Sequence, residues 1–218
     1  MKTSTLSLIA AMGSLLTASV QSATLFTVGT TGTVGGANNF PAGEPPSAAI
    51  DGNTATKYLN FFELNSGYIF TPTAAGSVVT GINFVTANDA EERDPASYRL
   101  FGSNTAVASA TAGTIYDVEA NFTQIATGAL TLPVGRTTAG GNVTFVNAAP
   151  FNTYLLVFPT VKNSATANSM QIGEAVLQTA AGALSNSGTI GGGAIPEPSS
   201  AALFGLGVMG LMAGRRRR

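Results

Sequence analysis

Between Thr24 and Gln178 the chain is a succession of short apolar or alternating stretches, each closed by Gly, Pro, Asn or Asp: TLFTV, YLNFFEL, GYIFTP, VVTGINFVTA, SYRLFGS, TIYDVEANFTQIA, NVTFVN, TYLLVFPTV and QIGEAVLQ. Apolar side chains recurring at every second position line one face of a strand, whereas no stretch here shows the 3.6-residue spacing of an amphipathic helix. Eight or nine short strands with turn residues between them predict an all-β body, a jelly-roll β-sandwich of about eight strands spanning 24–179. No internal repeat is present.

The two ends have different patterns. Lys2 precedes an apolar stretch from Leu6 to Leu16, and small residues lead on to Ala23, so residues 1–23 read as a secretory signal peptide cut near Ala23. At the other end, residues 180–195 (AAGALSNSGTIGGGAI) are small and uncharged, the composition of a linker. Beyond them comes the turn Pro196-Glu197-Pro198, then an apolar run through 199–214, then Arg215, Arg216, Arg217 and Arg218. The run is shorter than the roughly 20 residues that cross a bilayer comfortably. Arginines directly behind such a run stay on the cytoplasmic side, which leaves the body outside.

Charge sharpens this picture. The formal net charge is −1, but five of the ten basic residues are Lys2 and the terminal arginines. Between Thr24 and Ala194 stand five basic residues (Lys57, Arg93, Arg99, Arg136, Lys162) against ten acidic ones, a net of −5. That balance excludes the basic footprint of a nucleic-acid binder. The chain also has no Cys, His or Trp. Thiol nucleophiles, imidazole bases, thiolate or imidazole zinc sites and disulfides are thereby excluded, which leaves hard metals held by oxygen as the accessible metal chemistry.

The order Pro-Glu-Pro, apolar helix, arginine cluster at 196–218 resembles the PEP-CTERM sorting signal of Gram-negative bacteria. The resemblance implies export by the secretion machinery and transient inner-membrane insertion through 199–214. It also implies processing near Pro196-Glu197-Pro198 by an exosortase, a membrane transpeptidase-like enzyme. The destination it implies is the cell surface or extracellular matrix.

Within the body, Asp51-Gly52 in AAIDGNTATKYLNF reads on residue type alone as a tight turn. The order of segments adds more. PPSAAIDGNTATKYLNF, TGINFVTANDAEERDPASYRLFGSN, NFTQIATGALTLP and TYLLVFPTVKNSATANSMQIGEAVLQ together resemble a discoidin, or coagulation-factor type C, domain of the galactose-binding-like superfamily. The resemblance implies an eight-stranded jelly roll. It also implies one structural calcium ion, held by the Ala48 carbonyl, the Asp51 carboxylate, the Asn53 carbonyl, Thr56, the Gly173 carbonyl and the Glu174 carboxylate. Two carboxylates among six to eight oxygens suit calcium; the alternative is an empty loop with Asp51 only forming the turn.

Three function classes remain open. The first is a non-catalytic binding module for carbohydrate, an exopolysaccharide, using stacking aromatics (Phe40, Tyr58, Phe61, Phe62) and polar groups (Asn60, Asn88, Arg93), although several of these aromatics also read as core. The second is a structural or adhesive coat protein without a discrete ligand. The third, an enzyme with a carboxylate pair among Asp89, Glu91, Glu92 and Asp94, lacks a partner motif elsewhere. The run Asn88–Asp94 reads more simply as a solvated loop with a local Glu-Arg pair.

Overall fold

A computed structural model describes residues 24–28, 39–72, 76–105 and 119–184. The signal peptide, the processing motif, the apolar run 199–214 and the arginine cluster lie outside the described residues. Among the described residues, no helix is long and apolar enough to cross a membrane.

Among the described residues, eleven strands form three antiparallel sheets. The first has five strands in the order β1 (Thr24–Val28), β3 (Ser66–Thr71), β8 (Thr153–Phe158), β5 (Ser97–Ser103), β6 (Thr123–Ala129). The second has four in the order β11 (Gly182–Ala183), β10 (Glu174–Thr179), β4 (Val79–Val85), β7 (Ala139–Thr144), and the third pairs β2 (Tyr58–Asn60) with β9 (Met170–Ile172). The chain therefore folds as the jelly-roll sandwich that the alternation predicts.

The count exceeds the nine stretches expected because the short β11 is added and QIGEAVLQ is split. Gly173 breaks it into β9 and β10, and its amide donates to the Val85 carbonyl at 3.0 Å. The last hairpin, β10–β11, takes in 180–184 of the segment read as linker. Leu184 is buried there, and its amide donates to the Leu177 carbonyl at 2.8 Å.

Period-two alternation places Tyr68, Phe70, Tyr98, Leu100, Tyr154, Leu156 and Phe158 of one sheet against Ile82, Phe84, Ala175 and Leu177 of the other. Tyr58, Met170 and Ile172 of the small sheet close this core at one end, where the Tyr58 and Tyr68 rings meet edge to face at 6.3 Å. Every residue of β8 is buried on both faces, which explains why TYLLVFPTV reads as a continuous apolar run rather than an alternating one.

The register assigns the loops to two ends. The segment before β2 and the β2–β3, β4–β5, β6–β7 and β8–β9 connections gather at one end, here the upper end. The β3–β4, β7–β8 and β10–β11 connections, and the start of β1, lie at the lower end.

Candidate functional site

The upper end carries the candidate metal loop. A short 3-10 turn, Pro46–Ala49, leads into Asp51, and two overlapping side-chain turns shape the loop at 51–56. The Asp51 carboxylate accepts from the Asn53 amide at 2.8 Å, and the Asn53 side-chain oxygen accepts from the Ala55 amide at 3.1 Å. Gly52 between them adopts φ +71°, a conformation that favours glycine. The Thr56 hydroxyl lies within 2.8 Å of the other Asp51 oxygen and 2.7 Å of the Asn53 carbonyl. Asp51, Asn53 and Thr56 thus converge within one loop.

The second half of the site arrives from the far end of the sequence. Ala175 and Leu177 of β10 point into the core, so Glu174 projects from the opposite face, toward the strand's contact with the turn at Pro46–Ala49. Glu174 is 4% exposed, and neither of its carboxylate oxygens has a hydrogen-bond partner. Burial, and then the charge of the adjacent Asp51 carboxylate, push its carboxyl up to about 8 from an ordinary 4.5. The nearby Asn53 and Gly52 amides pull the other way without reversing this. A buried carboxyl with unsatisfied oxygens therefore stands beside the exposed, hydrogen-bonded carboxylate of Asp51, an arrangement that a hard cation would complete. Among the described residues no group of three or more His, Cys, Asp or Glu side chains gathers. Any ion here would rest on these two carboxylates plus carbonyl and hydroxyl oxygens, with Ala48 and Gly173 at the two backbone approaches.

Gly173 cannot be exchanged. A Cβ there would stand 2.6 Å from the Thr86 carbonyl oxygen and 3.1 Å from that of Val85, both of them backbone atoms.

The candidate ligand residues separate. Tyr58 and Asn60 are fully buried: the Tyr58 hydroxyl donates to the Gly67 carbonyl at 2.6 Å, and the Asn60 amide donates to Tyr58 at 2.7 Å. Their placement as sugar-contacting groups is corrected on that ground, since both belong to the core under the upper loops. Asn88 is exposed and Arg93 half-buried, on the loop after β4.

Among the described residues, Phe61 is the most exposed aromatic, at 52%. Its amide donates to the Asn39 carbonyl at 2.9 Å, and the Asn39 side-chain nitrogen is a buried donor without a partner. Positive φ at Glu63 and Asn65 bends the loop tip away from regular strand geometry. Asn65 pins it by donating to the Pro159 carbonyl at 3.3 Å and accepting from Arg99 at 3.3 Å.

The run 88–94 is not a solvated loop with a local pair. Asp94 is fully buried and receives two hydrogen bonds from Arg136, at 2.9 and 2.7 Å, with Lys162 at 3.2 Å. Lys162 also reaches Glu91 at 3.0 Å. Lys57, 7% exposed, meets Asp89 at 2.6 Å and the Gln171 side-chain oxygen at 3.1 Å. Burial pushes the Asp89 carboxyl up, but the Lys57 hydrogen bond and charge, helped by Gln171, more than offset it and hold Asp89 below the ordinary carboxylate value. Sequence reasoning missed Arg136, Lys162 and Lys57 in these roles. Partners dozens of residues apart leave no local pattern, and the absence of other basic residues nearby in sequence was the one available hint.

Comparison with known proteins agrees with this geometry. Residues 194–218 match the model of the PEP-CTERM protein-sorting motif, so the chain ends in the signal of an exported protein sorted to the cell surface. No curated protein matches the chain. Among solved structures, it is similar to CBM32-3 from a family 31 glycoside hydrolase of Clostridium perfringens, with a TM-score of 0.50 and 13% identity over 65% of this chain and 86% of that one. It is also similar to the family 32 CBM of C. perfringens NanJ in complex with galactose, at TM-score 0.49 and 15% identity over 71% and 92%. A third is chitosan-binding module 1 from a chitosanase/glucanase of Paenibacillus sp. IK-5, at TM-score 0.44 and 15% identity over 72% and 96%. The first of these likenesses shows the fold: the body is a jelly roll similar to that CBM32 module.

Proposed function

We propose that this exported, exosortase-sorted protein presents a non-catalytic, calcium-stabilised module that binds carbohydrate, of the kind found in exopolysaccharide, at the cell surface or in the extracellular matrix. The observation that carries the reading is Phe61. A half-exposed aromatic on a pinned loop offers the apolar face on which a sugar ring stacks. The neighbouring upper loops add Asn88 and Arg93 as hydrogen-bonding groups. The solved CBM32-3 module of this fold belongs to a glycoside hydrolase, which favours a saccharide as the ligand class.

Calcium has a structural role in this reading. Asp51 and Glu174 would supply the charge, Thr56 a hydroxyl, and Ala48, Asn53 and Gly173 carbonyl oxygens. The ion would neutralise two adjacent carboxyls and tie the loop at 51–56 to the final strand, a cross-link that a chain without Cys cannot make by disulfide. Three of the four carboxylates of the loop 88–94 are engaged in ion pairs, Asp89 by Lys57, Glu91 by Lys162 and Asp94 by Arg136 and Lys162. This supports a binding role for that loop region over a catalytic one.

A glycan array at millimolar calcium, run with wild type and Phe61→Ala, tests the proposal. Binding to a saccharide class that is lost in the variant is the expected result; no binding to any saccharide overturns it. In that case the uncharged Thr, Gln and Asn surface of β6 and β7 favours a structural or adhesive coat without a discrete ligand.

A further inference from the structure

Charge is distributed unevenly between the two ends of the sandwich. Glu44, Asp51, Lys57, Glu63, Asp89, Glu91, Glu92, Arg93, Asp94, Arg136 and Lys162 all belong to the upper connections, and Glu174 opens β10 at that end. Among the described residues of the lower connections (72, 76–78, 104–105, 119–122, 145–152 and 180–184) the one charged side chain is Glu119, and it is ion-paired with Arg99 at 2.6 Å. A soluble body of this size usually scatters both signs over its whole surface. The segregation therefore asks what the neutral end faces.

The lower end is also apolar and firmly built. Val146, 97% exposed, stands on the β7–β8 connection. Its neighbour Asn147 donates to the Val79 and Ala149 carbonyls at 3.0 and 3.2 Å. The same connection is tied to the one after β3, where the Phe151 amide donates to the Ser77 carbonyl at 2.9 Å and the Gly76 amide to the Asn152 side chain at 2.8 Å. Beside it lies a shallow groove lined by Val78, three alanines of 180–183 and Leu184, with the uncharged Ser77 and Thr179 at its edge. Val146 is thus presented by a braced loop next to further apolar surface, and the patch is continuous with the point where the described chain ends.

That endpoint identifies the occupant. Leu184 leaves the sandwich at the lower end, and residues 185–195 separate it from Pro196 of the sorting motif. However these eleven residues are arranged, they span at most about 40 Å. While the apolar run 199–214 sits in the inner membrane, the lower end is the part of the body held nearest to the bilayer. A charged end there would lose hydration against the headgroups and acyl boundary, whereas a neutral apolar end meets it without that cost.

We propose that the lower end, centred on Val146 and the β10–β11 groove, is a docking face for the lipid bilayer in the membrane-held form of the protein. It seats the body before processing, with the Phe61 and Asp51 loops turned away from the lipid. This rests on the reading of 199–214 as a membrane-held segment, and the test separates the two.

The chain has no Trp, so a single introduced Trp reports without background. Full-length protein carrying Val146→Trp, or Val134→Trp at the upper end as the control, is reconstituted into phosphatidylethanolamine and phosphatidylglycerol vesicles containing brominated phosphatidylcholine; both positions are exposed, at 97% and 72%. The expected result is co-flotation of both variants, with blue-shifted and bromine-quenched emission at position 146 and neither effect at 134. Equal quenching at both positions overturns the orientation, as does co-flotation without quenching at either. Blue shift at 146 that needs no lipid and grows with protein concentration assigns the face to a second copy of the chain and also overturns the proposal. Failure to float refutes the membrane-held form itself, and the docking with it.

Discussion

Stripping calcium should expose the repulsion between Asp51 and Glu174 as a pH-dependent loss of stability. In the metal-free fold, burial and the Asp51 charge raise the Glu174 carboxyl to about 8, against 4.5 ordinarily. Between these values the folded state keeps a proton that the unfolded chain releases. Stability therefore falls as pH rises through this window and levels off above it. At about 1.4 kcal/mol per pH unit of separation, the full loss is roughly 5 kcal/mol. A domain of this size loses about 2–4 °C of Tm per kcal/mol, so the chelated protein should melt on the order of 10 °C lower at pH 8.5 than at pH 5.5. Calcium, by replacing the proton with a stronger counter-charge, should raise Tm at both values and more at pH 8.5, which flattens the profile. Scanning calorimetry at the two pH values, with chelator or with millimolar calcium, measures all four melting points. A chelated Tm that does not depend on pH, or a calcium response unchanged in Asp51→Asn, would falsify the paired-carboxylate site.

Other substitutions probe the rest of the architecture. Gly173→Ala forces a Cβ against the Thr86 and Val85 carbonyl oxygens; it should cost about 1–3 kcal/mol, seen as a lower urea midpoint at unchanged slope. Asp94→Ala leaves Arg136 and Lys162 facing an uncompensated pocket. A loss near 3 kcal/mol is expected, and a loss below 1 kcal/mol would show the cluster to be solvent-screened surface pairing. Phe61→Ala should abolish saccharide binding while leaving Tm within about 1 °C, because its ring is half exposed. Tyr58→Phe should lower Tm without changing saccharide specificity, since its hydroxyl serves the buried Gly67 carbonyl.

Local patterning carried much of this protein into view. Period-two alternation marked the start of SYRLFGS at the bounds of β5, because the strand's two faces meet different surroundings there. The Asp51-Gly52-Asn53 turn is legible for the same reason: its hydrogen bonds reach only two residues along the chain. The C-terminal signal is likewise a contiguous motif. The linear pattern could not carry relations between distant positions. Tyr58 and Asn60 look like ligand groups in sequence and become core only because β9 pairs with them from more than a hundred residues away.

The same holds for Asp94, whose neighbour Arg93 suggested a local pair although Arg136 and Lys162 hold it in the fold. It holds also for the split between a charged upper end and a neutral lower one, which exists only once strand directions are known. By itself, the sequence determined the strand menu, the turn chemistry and the sorting signal, all of which depend on neighbours along the chain. Tertiary structure alone decided which carboxyls lie side by side, how far Phe61 reaches into solvent and which end carries most of the charge. Burial and pairing depend on distances in space, and those are set when the two sheets close over one core.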